Sequence, residues 1–222
     1  MNKKEKKYGL ISTDIVKSEY LELMTEEDAT TWGLANYASW SNEYKKIMQI
    51  NKKALEINTF TSPIEDYCGY LYIGINTYLR FGGKDENNIC RELSHILAIA
   101  LSSAPRIPEN IVTYRVVSDE FIQELIKNNK EDIPTQERGF LSTSLITNIV
   151  TVGEAYNVHN NLLKIYVDKG SIGIYVNGVV RRNEQEVLLY PNGYLYLIEY
   201  PYKDENLNKI VYECKLFYFD KS

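Results

Sequence analysis

The chain has 222 residues, of which 44% are hydrophobic and 25% are charged, and its formal net charge is −5. This acidic balance argues against a nucleic-acid-binding protein, and no apolar run approaches the roughly 20 residues that a bilayer-spanning helix needs. The basic N-terminus lacks the apolar segment of an intact signal peptide. We therefore expect a protein that is cytosolic, leaves the cell by another route, or has had a signal removed.

Cysteine and histidine are scarce. Cys68, Cys90 and Cys214 lack the spacing of metal ligands and lie in apolar surroundings, which predicts core thiols rather than a disulfide framework. The two histidines, His95 and His159, give poor support to a histidine-based metal site or a Ser-His-Asp triad.

The first half of the sequence predicts helices. Thr25, followed by acidic residues and by apolar residues at helical spacing, indicates the start of the first long helix. Residues 62–65 read as a capping box with proline at the first helical position, and the apolar stripe that follows ends at Gly82. A further helix is predicted from about Asn88, closed by Pro105.

The second half predicts strands, with one short helix at 121–129. The strand segments are 110–117, 139–145, 162–167, 173–176, 186–190, 193–200 and 210–219. Asn192-Gly193 is a strong signal for a two-residue hairpin. Helices followed by strands indicate the α+β class in one domain over residues 1–222, with a helical part at about 14–104 and a β-sheet core at about 110–220.

Three polar groups interrupt the predicted strands. Arg115 lies in an otherwise apolar segment and needs an anionic partner such as a carboxylate or phosphate. Ser142-Thr143-Ser144 places two hydroxyls on one strand face, and Glu184-Gln185-Glu186 likewise predicts two carboxylates facing one space. Each group alone is ordinary. Together they fit chemistry in which two acids have separate tasks, as in glycoside cleavage.

The order of these groups and the sequences around them resemble those of the bacterial mono-ADP-ribosyltransferase toxins of the arginine–serine–glutamate class. More closely, the chain resembles the catalytic domains of the iota-type binary actin-modifying toxins and the clostridial Rho-modifying exoenzymes. The matching sequence motifs are EDA at 27–29 with Trp32-Gly33, INTYLR at 75–80, PENIVTYR at 108–115, GFLSTS at 139–144 and EQEVLL at 184–189. The resemblance implies N-terminal helices packed on two antiparallel β-sheets that form an NAD cleft. It also implies NAD as the ADP-ribose donor and no metal.

The same resemblance implies roles for the catalytic residues. Glu186 anchors the nicotinamide ribose and stabilises a cationic transition state, while Glu184 orients the attacking side chain. Arg115 contacts the NAD phosphate, and Ser142 holds Glu186. The implied NAD-binding set is Tyr72, Asn76, Arg80, Arg115, Ser142, Thr143 and Ser144.

Tyr72, Asn76 and Arg80 are spaced four residues apart, so a continuous helix places them in one row. Tyr67 falls on the far flank of that helix, and we interpret it as structural unless Gly69 breaks the helix.

The chain departs from its relatives at three places. Val116 stands where many relatives have a second arginine, and only His159 is available near the position of another arginine. Arg181 occupies the place of an aromatic residue that helps to recognise the protein target, so target recognition is assigned to Arg181 and Glu184.

The expected function is transfer of ADP-ribose from NAD to an arginine of a host protein, with slow NAD hydrolysis when no acceptor is present. Actin or a small GTPase is the expected acceptor, and a separate translocation component is a possible partner. We expect a secreted protein that acts in the host cytoplasm, without stable membrane insertion. The alternatives are an exoenzyme that modifies a Rho-type GTPase and a non-catalytic relative that binds NAD or a partner.

Overall fold

A computed structural model describes residues 3–11, 15–55, 62–82, 88–150, 159–180 and 184–219. Five helices precede the first strand of the described chain, and nine strands with one further helix follow. This separation of helices from strands confirms the predicted α+β class.

The helices are α1 (Lys3–Tyr8), α2 (Glu26–Leu55), α3 (Pro63–Asp66), α4 (Tyr72–Phe81), α5 (Ile89–Ser103) and α6 (Asp119–Lys130). The predicted start of α2 is confirmed, because the Thr25 hydroxyl accepts the Asp28 N–H at 3.1 Å and donates to the Asp28 carboxylate at 2.7 Å. None of the described helices combines the length and the apolar character needed to cross a membrane.

The predicted capping box at the start of α3 does not form. The Ser62 side chain makes no capping hydrogen bond with the described residues, and its hydroxyl is buried. Tyr44 of α2 takes its place: its hydroxyl accepts the N–H of Ile64 at 3.2 Å and donates to Glu65 at 3.1 Å. The prediction was wrong because a distant side chain, the Tyr44 hydroxyl, bonds the free N–H at the start of α3 in place of the local Ser62 hydroxyl.

A π-helical segment, Tyr67–Leu71, joins α3 to α4. A π turn holds more residues than an α turn, so side chains before and after it are not in one α-helical register. The helix ends at Gly82, whose φ of 67° is left-handed and whose N–H bonds to the Tyr78 carbonyl at 2.9 Å.

The strands form one mixed sheet. They are β1 (Ile111–Val117), β2 (Thr135–Glu137), β3 (Leu141–Ser144), β4 (Asn161–Val167), β5 (Gly173–Tyr175), β6 (Glu186–Leu189), β7 (Gly193–Leu197), β8 (Tyr202–Asp204) and β9 (Lys209–Phe217). Their order is β2-β7-β9-β4-β1-β3-β6-β5, with β8 on β9. The sheet is not purely antiparallel, because β4 and β9 are parallel. The short strands β2 and β8 were not predicted.

Two halves of this sheet meet at a narrow junction. The pairing of β1 with β3 rests on the single register pair Tyr114 and Ser144, whereas the other neighbours pair over three or more residues. The two sheets implied by the resemblance are thus the halves β2-β7-β9-β4-β1 and β3-β6-β5. Arg115 of β1, Ser142 of β3 and Glu186 of β6 lie on neighbouring strands at this junction.

The hairpin predicted at Asn192-Gly193 is wrong. Asn192 has a φ of 63°, so a tight turn is present. However, β6 pairs with β3 and β5 while β7 pairs with β2 and β9 among the described strands. Pro191, which cannot donate a ladder hydrogen bond, lies two residues after the end of β6, and the chain then crosses to the other half of the sheet.

Helices α2 and α5 pack against β5. Buried residues of these elements, including Tyr37, Leu97 and Ile174, share the main core with Leu188 of β6. Burial of such side chains is the dominant stabilising term. This core supports β3 and β6, which carry the polar groups of the site.

Candidate active site

The side chains of Ser142 and Glu186 are bonded to each other. Strands β3 and β6 pair with Ser142 opposite Leu188 and Ser144 opposite Glu186. The Ser142 hydroxyl therefore reaches diagonally along one face and donates to Glu186 Oε1 at 2.6 Å. Glu186 is only 2% exposed, so its carboxylate is held in a fixed position at the junction of the two sheet halves.

Arg115 binds the backbone of Ser142. Its Nη1 donates to the backbone carbonyl of Ser142 at 2.6 Å. The protein partner seen for this strand arginine is thus a peptide oxygen, and its expected contact with the NAD phosphate stays a prediction. The contact leaves most of the guanidinium donors for other partners, because arginine carries five N–H groups.

Glu184 and Glu186 share a cavity, but not for the reason given by strand alternation. Strand β6 begins at Glu186, and Gln185 between the two acids has a left-handed φ of 47°. Glu184 therefore lies on a bend before the strand. The assumption that both acids belong to one strand was wrong, although the prediction that they face the same space agrees with the lining of the cavity.

Thr143 and Ser144 brace the strands instead of lining the described part of that cavity. The Thr143 hydroxyl donates to the Val187 carbonyl at 2.9 Å, and the Ser144 hydroxyl donates to the Glu184 carbonyl at 2.6 Å. Both hydroxyls are buried and occupied by backbone oxygens. These bonds give Thr143 and Ser144 a supporting role at the cleft, and their place in the NAD-binding set stays a prediction.

The cavity in front of Glu186 has a volume of about 310 Å³. The predicted residues that line it are Tyr72, Asn76, Arg115, Ser142, Glu184 and Glu186. A larger cavity of about 920 Å³ shares Arg115, Val116 and His159 with it and extends to Arg80, Glu137 and Tyr194. Because the two cavities share these lining residues, we refer to them together as the groove, in which Glu184 and Glu186 line the smaller cavity.

Asn76 is largely committed to the protein backbone. Its Oδ1 accepts the Phe140 N–H at 2.9 Å, and its Nδ2 donates to the Phe140 carbonyl at 3.3 Å and to the Tyr67 hydroxyl at 2.9 Å. A side chain at Gly139 would lie 2.8 Å from Asn76 Oδ1, so this close approach requires glycine. Asn76 thereby ties α4 to the turn that leads into β3.

Tyr67 belongs to the site, which corrects the structural interpretation. It lines the smaller cavity, and its hydroxyl lies 3.4 Å from the Phe140 carbonyl as well as bonding Asn76. Burial raises the pKa of Tyr67, against an opposing effect of Arg115, so the hydroxyl stays protonated at neutral pH. The π turn at Tyr67–Leu71 changes the helical phase, and Gly69 within it was the sequence signal.

Arg80 points to the larger cavity and is clamped by Glu137. Its Nε donates to Glu137 Oε1 at 2.8 Å and its Nη2 to Oε2 at 3.0 Å, while Glu137 Oε1 also accepts the Gly139 N–H at 2.7 Å. Glu137 is only 6% exposed. The row of Tyr72, Asn76 and Arg80 is therefore split between the two cavities, and sequence reasoning missed Glu137 because a single acid before a turn carries no pattern.

Cys68 and His159 also line the smaller cavity. Cys68 Sγ lies 4.0 Å from Glu186 Oε2, so the interpretation of this cysteine as a core thiol only was incomplete. The described residues contain no cluster of three or more His, Cys, Asp or Glu side chains suited to a metal ion. Arg181, predicted to recognise the target, lies outside the described residues, so its role stays a prediction.

Residues 29–217 match the sequence pattern of the ADP-ribosyltransferase exoenzyme family. The chain belongs to this family. The matched region contains the whole groove from Tyr67 to Glu186. No curated protein sequence matches the chain.

Several solved toxins share the fold. The ADP-ribosylating toxin BECa of a binary enterotoxin of C. perfringens, solved with NADH, is 23% identical with a TM-score of 0.69 over 90% of this chain and 50% of its own. Plx2a, an ADP-ribosyltransferase toxin from Paenibacillus larvae, is 21% identical with a TM-score of 0.66 over 89% and 99%. C3stau2 from S. aureus, solved with NAD, is 19% identical with a TM-score of 0.62 over 90% and 100%. The chain thus spans about half of BECa and nearly all of the other two.

Proposed function

We propose that the protein is an NAD-dependent mono-ADP-ribosyltransferase that modifies an arginine of a host protein and hydrolyses NAD slowly when no acceptor is bound. One observation carries this proposal: Ser142 fixes the buried carboxylate of Glu186 in a cavity that also contains Glu184. Family membership supports the reaction class, and the pair of acids supports the acceptor.

Glu186 is placed to stabilise the departure of nicotinamide. In that step the bond between ribose C1 and the nicotinamide nitrogen breaks, and the electron pair leaves with nicotinamide. The ribose becomes oxocarbenium-like, and a preorganised carboxylate lowers the free energy of this cation. The hydrogen bond from Ser142 holds the carboxylate without neutralising it.

Glu184 suits an arginine acceptor. A guanidinium group is cationic and a poor nucleophile, so it benefits from a carboxylate that orients it and accepts its proton as a nitrogen bonds to ribose C1. Water attacking the same carbon would give free ADP-ribose, which accounts for the proposed hydrolysis. The Rho-modifying exoenzymes that the chain resembles carry glutamine at this position.

Arginine side chains along the groove support the binding of a dinucleotide. Arg115 lies between the two cavities, and Arg80 lies along the larger one. Arginine binds phosphate through directed N–H groups, which suits a pyrophosphate. Arg115 supplies such a guanidinium, and Arg80, which is paired with Glu137 through Nε and Nη2, offers its remaining N–H groups. BECa was solved with NADH and C3stau2 with NAD, which supports the same donor here.

Glu186→Gln tests the reaction. The amide keeps the shape of the side chain but loses its negative charge, so kcat for NAD cleavage should fall by about 100- to 1000-fold or more. The matched control is Glu131→Gln, which changes an exposed acid at the end of α6. Release of nicotinamide from NAD is measured for wild type and both variants. Cleavage that persists in Glu186→Gln would contradict the proposed role.

Glu184→Gln tests the acceptor. If the acceptor is arginine, this variant should lose protein modification while NAD hydrolysis remains within about tenfold of wild type. Tagged NAD and mass spectrometry of labelled host lysate identify the modified residue. Modification of the same residue at an unchanged rate would overturn the arginine assignment and favour the Rho-type alternative, whereas no NAD cleavage by wild type would favour a non-catalytic relative.

The setting proposed for this reaction is the cytoplasm of a host cell, reached after secretion, with actin or a small GTPase as the acceptor. BECa belongs to a binary enterotoxin, and C2-I is the enzymatic component of the C2-toxin from Clostridium botulinum. These two similar proteins support a separate translocation component as a partner. Labelling of intact cells with and without such a component tests that requirement.

A further inference from the structure

Gln185, the residue between the two acids, holds an unfavourable backbone conformation in a buried position. Its φ is 47°, a value that residues other than glycine rarely adopt, and the residue is 6% exposed. Backbone of this kind persists only where the surrounding contacts determine it. The question is therefore which contacts hold Gln185 and what they position.

Two other elements hold the side chain of Gln185. Its Oε1 accepts the Tyr175 hydroxyl of β5 at 2.6 Å and the Thr30 hydroxyl of α2 at 3.3 Å. Burial raises the pKa of Tyr175, so this hydroxyl remains a donor at neutral pH. The Gln185 backbone carbonyl also accepts the N–H of Leu145 at 3.0 Å.

The Tyr175 ring reaches Gln185 because α2 makes room for it. A side-chain carbon at Gly33 would lie 2.3 Å from the ring, so glycine is required at this contact. The contact gives a physical reason for Gly33 within the motif at the start of α2. Thr30, Gly33, Tyr175 and Gln185 together form one joint between α2, β5 and the acid pair.

The two acids depend on this joint to different degrees. Glu186 has its own support, because it lies in β6 opposite Ser144 and accepts the Ser142 hydroxyl at 2.6 Å. Glu184 precedes the strand, and the hydrogen bond that the structure shows at its backbone carbonyl comes from Ser144 at 2.6 Å. The pairing of β6 and the bond from Leu145 anchor the chain on the Glu186 side of Gln185, so we expect a change in the Gln185 backbone to be taken up on the Glu184 side.

We propose that Gln185 is a positioning residue that aims Glu184 at the acceptor, acting through its hydrogen bonds to Tyr175 and Thr30. The inference rests on the proposed function, because it assigns Glu184 to the acceptor step. It separates acceptor transfer from NAD cleavage within one site. A residue that only stabilised the fold would affect both activities alike.

The test compares two activities in Gln185→Met, Tyr175→Phe and the double variant. Methionine keeps the length of the side chain but accepts hydrogen bonds only weakly, and phenylalanine keeps the ring packed against Gly33. NAD hydrolysis is measured by nicotinamide release, and transfer is measured with agmatine as a small guanidinium acceptor. Gln123→Met, an exposed change on α6, is the matched control.

Each single variant should lower transfer to agmatine by about tenfold and change hydrolysis by less than about threefold. The double variant should be no worse than the more affected single variant, because both changes break the same contact. Equal losses in both activities, or no loss of transfer, would overturn the proposal. If Gln185→Met does not fold, the ratio of the two activities in Tyr175→Phe decides.

A crystallographic comparison separates this inference from the proposed function. Compared with the wild-type structure, the structure of Tyr175→Phe should show the Glu184 carboxylate displaced and Glu186 still bonded to Ser142. An unmoved Glu184 would overturn the positioning role even in an active enzyme. Wild type that does not cleave NAD would instead refute the proposed function, and wild type that cleaves NAD but does not modify agmatine would refute the arginine acceptor. The displacement of Glu184 would still be measurable in both cases.

Discussion

Replacing Ser142 with alanine should slow the departure of nicotinamide without preventing NAD from binding. The variant removes the 2.6 Å hydrogen bond to Glu186 but keeps the backbone carbonyl that Arg115 holds. A hydrogen bond to a charged group contributes about 1.5–3 kcal/mol. If this bond maintains the carboxylate geometry in the transition state, its loss corresponds to about a 10- to 100-fold decrease in kcat.

Steady-state NAD hydrolysis over a range of NAD concentrations measures this effect. KM should change by less than about threefold, because the guanidinium groups along the groove are untouched. Ser103→Ala is the matched control, since it removes a hydroxyl bonded to the Ala100 carbonyl at the exposed end of α5. An unchanged kcat for Ser142→Ala, or an equal decrease in the control, would refute the reasoning that Ser142 positions the catalytic carboxylate.

Two further perturbations test the NAD groove and the outer face of the sheet. Arg80→Ala should weaken NAD binding by about tenfold, as measured by calorimetric titration, and an unchanged dissociation constant would contradict its role. The same change leaves the buried carboxylate of Glu137 without its ion-pair partner and should lower the melting temperature. Adding Glu137→Gln should restore part of that loss. Burial of Glu213 raises its pKa, but hydrogen bonds from Lys17 and Tyr166 outweigh this and leave the pKa below 4.5. This stabilisation is present above the unfolded-state pKa and is lost as the pH falls through the folded-state pKa. Glu213→Gln should therefore lose less unfolding free energy between about pH 7 and about pH 3.5, as measured by urea denaturation, and the same loss as wild type would contradict the assignment.

The regular elements were largely predictable because their cause is local. Residues close in sequence determine the apolar spacing of α5 and the cap of α2, and the same holds for the apolar runs of β1 and β4. The strands β2 and β8 were missed because they are short and mostly polar, with the sequences TQE and YKD, whereas the equally short β5 is apolar. The hairpin predicted between β6 and β7 was wrong, since a turn signal does not determine which partners the flanking strands pair with.

The candidate site was predictable in its residue types but not in its geometry. Arg115, Ser142, Glu184 and Glu186 come together on adjacent strands and the bend before β6, as their order in the sequence indicated. The residues that position them are harder to find. Glu137 clamps Arg80 across 57 positions of sequence, and such a contact leaves no trace in local spacing.

The irregular segments decide which residues enter the groove. An unbroken α-helix would place Tyr67 away from Asn76, yet the π turn at Tyr67–Leu71 brings the two side chains into a 2.9 Å hydrogen bond. An unbroken strand through Gln185 would place both acids on the strand, yet the left-handed residue puts Glu184 on a bend beside it. In both cases a local rule fails where distant side chains fix the backbone, and that failure is expected at functional sites because local preference and function compete there. The two deviations converge on one cavity, so the departures from regular periodicity indicate the site as directly as the acids themselves do.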